Sequence, residues 1–248
     1  MDDIWSMAPL CLSFIIRAMY DQLPTGDNRW NVTQDVKCAL CGGTQTLNHV
    51  LSACTEALGS GRYTWRHNQV LRKLLEAVDC ARLKANAKED RSTGRPAAGY
   101  DCGFLERATD WRVIADLPNM RAYPEIIKKC NVRPDIVLMS EVTKTAVVIE
   151  LTVPYESNMS ESHEFKLAKY EPLICDLHRG GYKTHMFAVE VGARGLAGAS
   201  AYNVLKRLGL PGKQRTRYLK QMAEAAEKAS HWIWLKRDEK AWTSDGST

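Results

Sequence analysis

The chain has 248 residues, 45% of them apolar and 25% charged, with a formal net charge of +5. That balance excludes wholesale disorder and supplies the core of one or two domains. No apolar run approaches the roughly 18 residues of a spanning helix. The longest, residues 7–16, follows Asp2 and Asp3 rather than the basic start of a secretory signal.

A soluble intracellular protein is expected, in which the sequons at Asn31 and Asn158 carry no meaning. Charge is unevenly spread. Residues 59–95 hold nine basic and four acidic side chains, residues 204–240 hold ten and four, and the remainder is slightly acidic. Two solvated helix faces would produce this pattern, and so would phosphate contacts on either side of an acidic site.

In chain order, residues 8–22 read as a helix, with Leu10, Phe14, Ile15 and Met19 on one face, ended by the Pro-Thr-Gly segment at 24–26. Residues 31–58 hold a cysteine cluster. A second helix is predicted from Thr64 to about Lys84, with Val70, Leu71, Leu74, Leu75 and Val78 as its apolar stripe. Residues 89–103, with three glycines and a proline, read as a linker and domain boundary.

Beyond it the period shortens. Residues 111–117, 133–139, 145–153 and 184–191 read as strands, the middle two as a hairpin buried on both faces. Residues 160–179 are helical in composition, with Pro172 expected to kink or break the helix. Further helices are expected near 199–208 and 214–235. The order β-β-β-α-β-α-α predicts an α/β fold, a mixed sheet with helices on its faces.

Five of the eight cysteines are scattered singly, as in a reducing compartment. The other three join a histidine as Cys38-x2-Cys41-x7-His49-x4-Cys54. Three thiolates and one imidazole make a complete tetrahedral set for zinc. Gly42 and Gly43 let the chain turn around the ion, and the His-x4-Cys half is expected on one helical turn.

The segment Gly61-Arg62-Tyr63-Thr64-Trp65-Arg66-His67 then alternates basic and aromatic residues at a helix start. Arg62, Arg66 and His67 are candidates for phosphate contact beside a stacked base. Tyr63 and Trp65 in the core, with solvated arginines, is the competing reading. Arg215, Arg217 and Lys220 are the corresponding candidates in the second basic zone, where residues 206–220 carry six basic side chains and no acid.

In the hairpin, Pro134-Asp135 opens one strand and Glu150 lies in the other. If the strands pair antiparallel about the centre of a loop at 140–145, then 140 faces 145, 137 faces 148, and Asp135 faces Glu150. Two carboxylates that close in an apolar sheet need a cation or a shared proton. A magnesium ion held by one or two carboxylates and phosphate oxygens is a common solution, and it suits phosphodiester hydrolysis. Lys166 and Lys169, on one face of the following helix, are the nearest candidates to steady the phosphate.

Taken in order, the knuckle, GRYTWRHNQVL, RPDIVL…VVIELTVP and HEFKLAKY resemble the C-terminal part of the polyprotein of non-LTR retrotransposons with a restriction-like endonuclease. The resemblance spans about Phe14 to Trp242. It implies a PD-(D/E)XK nuclease with Asp135 and Glu150 as metal-binding acids, using magnesium or manganese, beside a structural zinc. It also implies nuclear nicking of target DNA to prime reverse transcription, with element RNA as a further partner.

At Thr152 the wider superfamily usually has lysine; in this branch that lysine is moved to the next helix, which points to Lys166 or Lys169. No reverse-transcriptase aspartate pair is present, so residues 1–30 are expected to be a remnant of the region after a polymerase. On this basis, 31–88 is the zinc knuckle with its following helix, and 104–242 is the nuclease domain. The alternative is a catalytically inactive nucleic-acid-binding fragment of a degenerate element.

Overall fold

The computed structural model describes residues 8–26, 28, 37–87, 103–130 and 132–243. Helix α1 (Pro9–Met19) opens with proline at its first turn, where the missing N–H costs nothing. It buries Cys11, Phe14, Ile15 and Ala18. The expected stripe is therefore rotated: Phe14 and Ile15 are inside, but Leu10 and Met19 are 78% and 61% exposed. Both sets have helical spacing, and a helix apolar on nearly all sides does not reveal which set docks.

A π-helical turn (His49–Ala53), the short α2 (Thr55–Gly59) and the long α3 (Arg62–Asn86) follow. Helix α3 buries the five stripe residues named from the sequence. The linker reading at 89–103 lies outside the described residues except for Gly103.

Strands β1 (Arg112–Ala115), β2 (Ile136–Ser140), β3 (Thr145–Thr152) and β4 (Lys183–Glu190) form one sheet in the order β1-β2-β3-β4. The first three are antiparallel, and β4 runs parallel to β3. A parallel neighbour requires a crossover, which α5 (Met159–Arg179) supplies. That helix runs unbroken through Pro172. Pro172 and Ala168, whose carbonyl loses its donor, both lie on the exposed side, where water can serve it.

A one-turn helix, α4 (Glu125–Lys128), had no sequence signal strong enough to be placed. Helices α6 (Ala199–Arg207) and α7 (Gly212–Leu235) fall where the sequence puts them.

The sheet separates two apolar layers. Val137, Met139, Ala146 and Val148 face α5 through Tyr170, Leu173 and Leu177. Ile136, Leu138, Val147, Ile149 and Leu151 share the opposite layer with α3, α6 and α7. Helix α3 thus belongs to the same core as the strands, so a division at 89–103 separates segments that pack together. Among the described residues no helix is long and apolar enough to cross a membrane.

Candidate functional site

Two clusters of chemistry-bearing side chains stand out. The first is the cysteine knuckle. Its chain reversal is closed by Cys38 N–H donating to Gly43 O at 2.7 Å and Gly42 N–H donating to Cys38 O at 2.8 Å. Gly42 has φ +76°, and a β-carbon at Gly43 would stand 3.2 Å from His49 Cε1. Both glycines are needed, one for conformation and one for space.

The ligand atoms of Cys38, Cys41, His49 and Cys54 all lie within 4.8 Å of one another, a Cys3His set that can hold a metal ion. The Cys38 and Cys54 sulfurs are 3.8 Å apart, and Cys41 Sγ is 3.2 Å from His49 Nε2. His49 and Cys54 meet through the π-helical turn, not an α-helical one. Its i→i+5 bonding suits residues five apart, which is the His-x4-Cys spacing.

Burial pushes the Cys54 thiol up to about 11 and lowers His49, so without a cation this pocket favours neutral ligands. The Gly43 backbone hydrogen bond lowers Cys41.

Arg62 and Arg66 do not stand where phosphate could meet them. They are 1% and 2% exposed. Arg62 donates to Lys236 O at 2.6 Å, to Glu239 O and to Ser60 Oγ. Arg66 donates to Leu51 O at 2.8 Å, Val153 O at 2.9 Å and Ser230 Oγ at 3.1 Å. Both guanidiniums are spent on internal acceptors, mostly backbone carbonyls near the ends of helices and of β3.

Tyr63 is also internal. Its hydroxyl accepts from Cys54 N–H at 3.1 Å and faces the His49 and Val50 carbonyls. The basic-aromatic alternation therefore encodes a tether beneath the knuckle. Among the second set, Arg217 and Lys220 are exposed on α7, Lys220 lying 3.8 Å from Glu224. Arg215 is partly buried, donating to Leu210 O and stacked over Tyr202.

The second cluster lies where β2 and β3 begin and end. The pairing Ser140↔Thr145, Val137↔Val148 and Ile136↔Ile149 is the register expected from the sequence. Asp135 and Glu150 are brought together at its end, 6% and 3% exposed. Asp135 N–H donates to Glu150 Oε2 at 3.1 Å, and Leu151 N–H donates to Asp135 Oδ2 at 2.8 Å.

Lys166 Nζ stands 2.5 Å from Glu150 Oε1. Lys169 is exposed, its ammonium over the Tyr170 ring, and does not join the acids. One helical step separates the two candidate lysines, and Lys166 is the one that reaches the acids. Burial and the nearby Asp135 charge raise Glu150 above the usual carboxylate range, with Lys166 opposing them. Among the described residues the buried Thr152 hydroxyl has no hydrogen-bond partner.

Several neighbours were not read from the sequence as part of this site. Tyr123 donates to Pro134 O at 2.5 Å and Tyr170 to Arg133 O at 2.9 Å, fixing the backbone that presents Asp135. His67 Nε2 lies 3.2 Å from Asp135 Oδ2, although it was a phosphate candidate. Burial disfavours its charge, but the hydrogen bond and charge of Asp135 outweigh that and raise its pKa.

One turn before Lys166, His163 Nδ1 meets the buried Glu190 at 2.9 Å, and Ser200 Oγ donates to the other Glu190 oxygen at 2.6 Å. Tyr170, four residues after Lys166, was legible only as part of the HEFKLAKY segment. The others needed the tertiary fold.

No protein-family model and no curated protein matches the chain.

Proposed function

We propose that the protein is a metal-dependent DNA endonuclease of restriction-like architecture, carrying a structural zinc knuckle. The observation that carries this reading is the buried Asp135–Glu150 pair at adjoining strand ends, with Lys166 reaching it from the crossover helix. Buried acids at such separation have little structural purpose unless a cation is to be held.

A divalent ion fits the donor set. Asp135 Oδ2 is occupied by Leu151 N–H and His67, while among the described residues no donor is bonded to Oδ1. Asp135 and Glu150 would hold magnesium or manganese, hard cations that prefer carboxylate oxygen. Such an ion supplies positive charge to a phosphodiester under attack. Lys166 has three ammonium donors and gives one to Glu150, which leaves donors to steady a phosphate oxygen. Tyr123 and Tyr170 hold the Arg133–Pro134 backbone so that Asp135 needs no reorganisation.

Zinc is the ion that three thiolates and one imidazole suit best, and the Cys3His set would stay closed, without an open catalytic position. The exposed cations of α6 and α7, among them Lys206, Arg207, Lys213 and Arg217, supply the phosphate-facing surface. The sequence resemblance supports a biological role as the target-nicking domain of a non-LTR retrotransposon, acting in the nucleus and accompanied by element RNA.

A second reading has its own support. Lys166 neutralises Glu150, and His67 is hydrogen-bonded to Asp135, so both acids have partners without a metal. That arrangement also suits a nucleic-acid-binding fragment without turnover. Nicking of supercoiled plasmid with magnesium, with chelator, and by Glu150→Gln separates the two. Magnesium-dependent nicking that Glu150→Gln lowers by about a hundredfold or more is expected of the enzyme. Salt-sensitive DNA binding with no nicking in any arm would replace it with the binding module.

A further inference from the structure

Among the residues touching the acid pair, one comes from a distant part of the chain. His67 lies on α3, packed with the sheet layer opposite Lys166 and α5. Its Nε2 stands 3.2 Å from Asp135 Oδ2 and 3.3 Å from Leu151 O. Both groups are acceptors, so Nε2 carries the hydrogen and the ring donates.

The two contacts span the site. Asp135 precedes β2, and Leu151 follows Glu150 in β3. A single ring therefore pins the first acid to the residue after the second. The ring has a neighbour on its other side as well: Nδ1 lies 3.2 Å from Asn68 Oδ1, a hydrogen bond when the ring is protonated at both nitrogens, and the preceding Arg66 is bonded to Val153 O at 2.9 Å. Both α3 residues thus grip the far end of β3, one on each side of the chain position that leaves the sheet.

Asp135 Oδ2 receives two donors, Leu151 N–H and His67 Nε2–H. With that oxygen held, the carboxyl plane is set, and Oδ1 has one direction in which to present itself. Outer-shell donors of this kind orient acidic ligands, and their removal commonly costs 10- to 100-fold in metal affinity or activity.

We propose that His67 is a positioning residue: its Nε2–H orients Asp135 for the divalent ion, so the helix following the zinc knuckle completes the nuclease site. This rests on the nuclease reading above. It also replaces the phosphate-contact role that the basic-aromatic segment suggests for His67.

The experiment uses the full zinc-loaded chain and two amide variants, His67→Gln and His67→Asn. A glutamine amide nitrogen reaches the place of ring Nε2, whereas asparagine stops near Nδ1. Manganese binding is measured by calorimetry without DNA, and nicking is followed across a magnesium titration. Zinc content and melting temperature serve as the fold control.

His67→Asn is expected to weaken manganese binding about 10- to 100-fold and raise the magnesium needed for half-maximal nicking by a similar factor. His67→Gln should recover both to within a few-fold, with zinc content and melting temperature alike in the two variants. Unchanged metal affinity in His67→Asn overturns the proposal. So does a shared loss of zinc and melting temperature in both variants, which marks a purely structural contact. Wild-type protein that neither nicks nor binds manganese through Glu150 overturns the nuclease reading itself, an outcome separate from either of these.

Discussion

Replacing Arg66 by alanine should destabilise the protein rather than weaken its hold on DNA. A solvated arginine at a helix start would contribute to DNA affinity and little to stability. The buried Arg66 makes three hydrogen bonds, to Leu51 O, Val153 O and Ser230 Oγ. Bonds from a charged donor contribute about 1.5–3 kcal/mol each, so together about 4.5–9 kcal/mol.

Opposing them, burial pulls the guanidinium down to about 10 from 12.5, a desolvation cost of about 3 kcal/mol. Its buried Nε has no partner among the described residues, a further cost. Arg66→Ala removes both sides of this balance and leaves two carbonyls to find water in a closed space, while Ser230 Oγ keeps its bond to Ala193 O. A net loss of about 2–5 kcal/mol is expected. Urea denaturation of the zinc-loaded protein reads it as a lower midpoint at unchanged slope. Arg66→Lys keeps the charge but not the planar fork and should recover less than half. A stable Arg66→Ala protein with selectively weakened DNA binding would refute the tether and return Arg66 to phosphate contact.

Purified protein should contain about one zinc per chain, and Cys41→Ser should lower both metal content and melting temperature; a fully folded metal-free protein excludes a structural zinc. Initial nicking rates should fall by about a hundredfold in Lys166→Ala and stay within a few-fold in Lys169→Ala, and a reversal would place the reacting phosphate elsewhere. If about four phosphates meet the α6–α7 surface, the log–log salt slope of DNA binding should be about −4, whereas a slope near zero removes that surface from recognition.

Glu227, raised to about 7 by burial and Glu224, should stabilise fully below about pH 4.5 and lose that contribution as pH rises through about 7. Solvent screening of this partly exposed group limits the effect to about 1 kcal/mol. Thermal melts should therefore show Glu227→Gln gaining on wild type at pH 8 and not at pH 4, and parallel profiles would show that the carboxyl is freely hydrated.

The hairpin was legible to the residue because two buried strands joined by a short loop have few registers that keep apolar side chains inside. The knuckle ligands were legible for a similar reason, since short-range spacing limits geometry. The roles of Arg62, Arg66 and His67 were not. A basic side chain near aromatics has the same local appearance whether it faces water or a carbonyl 174 residues away, as Arg62 does. Leu10 and Met19 failed for a related reason. In each case the neighbour that decides the matter lies on another element.

The pairing of Arg62 with Lys236 and Glu239, Arg66 with Ser230, Gln45 with Asp238 and Arg194 with Ala18 joins the earliest described elements to the latest. During synthesis, the knuckle ligands emerge within 17 residues and can meet at once. Arg62 finds Lys236 O and Glu239 O, and Arg66 finds Ser230 Oγ, only after α7 has left the ribosome. Contacts of such sequence separation are the slow ones, because the intervening chain must first be ordered. A chain truncated before Ser230 would carry Asp135, Glu150 and every thiol yet leave both arginines short of acceptors in the interior. Helix α7 therefore acts as a latch on the knuckle made well before it, and that module should reach its final rigidity only once α7 has docked.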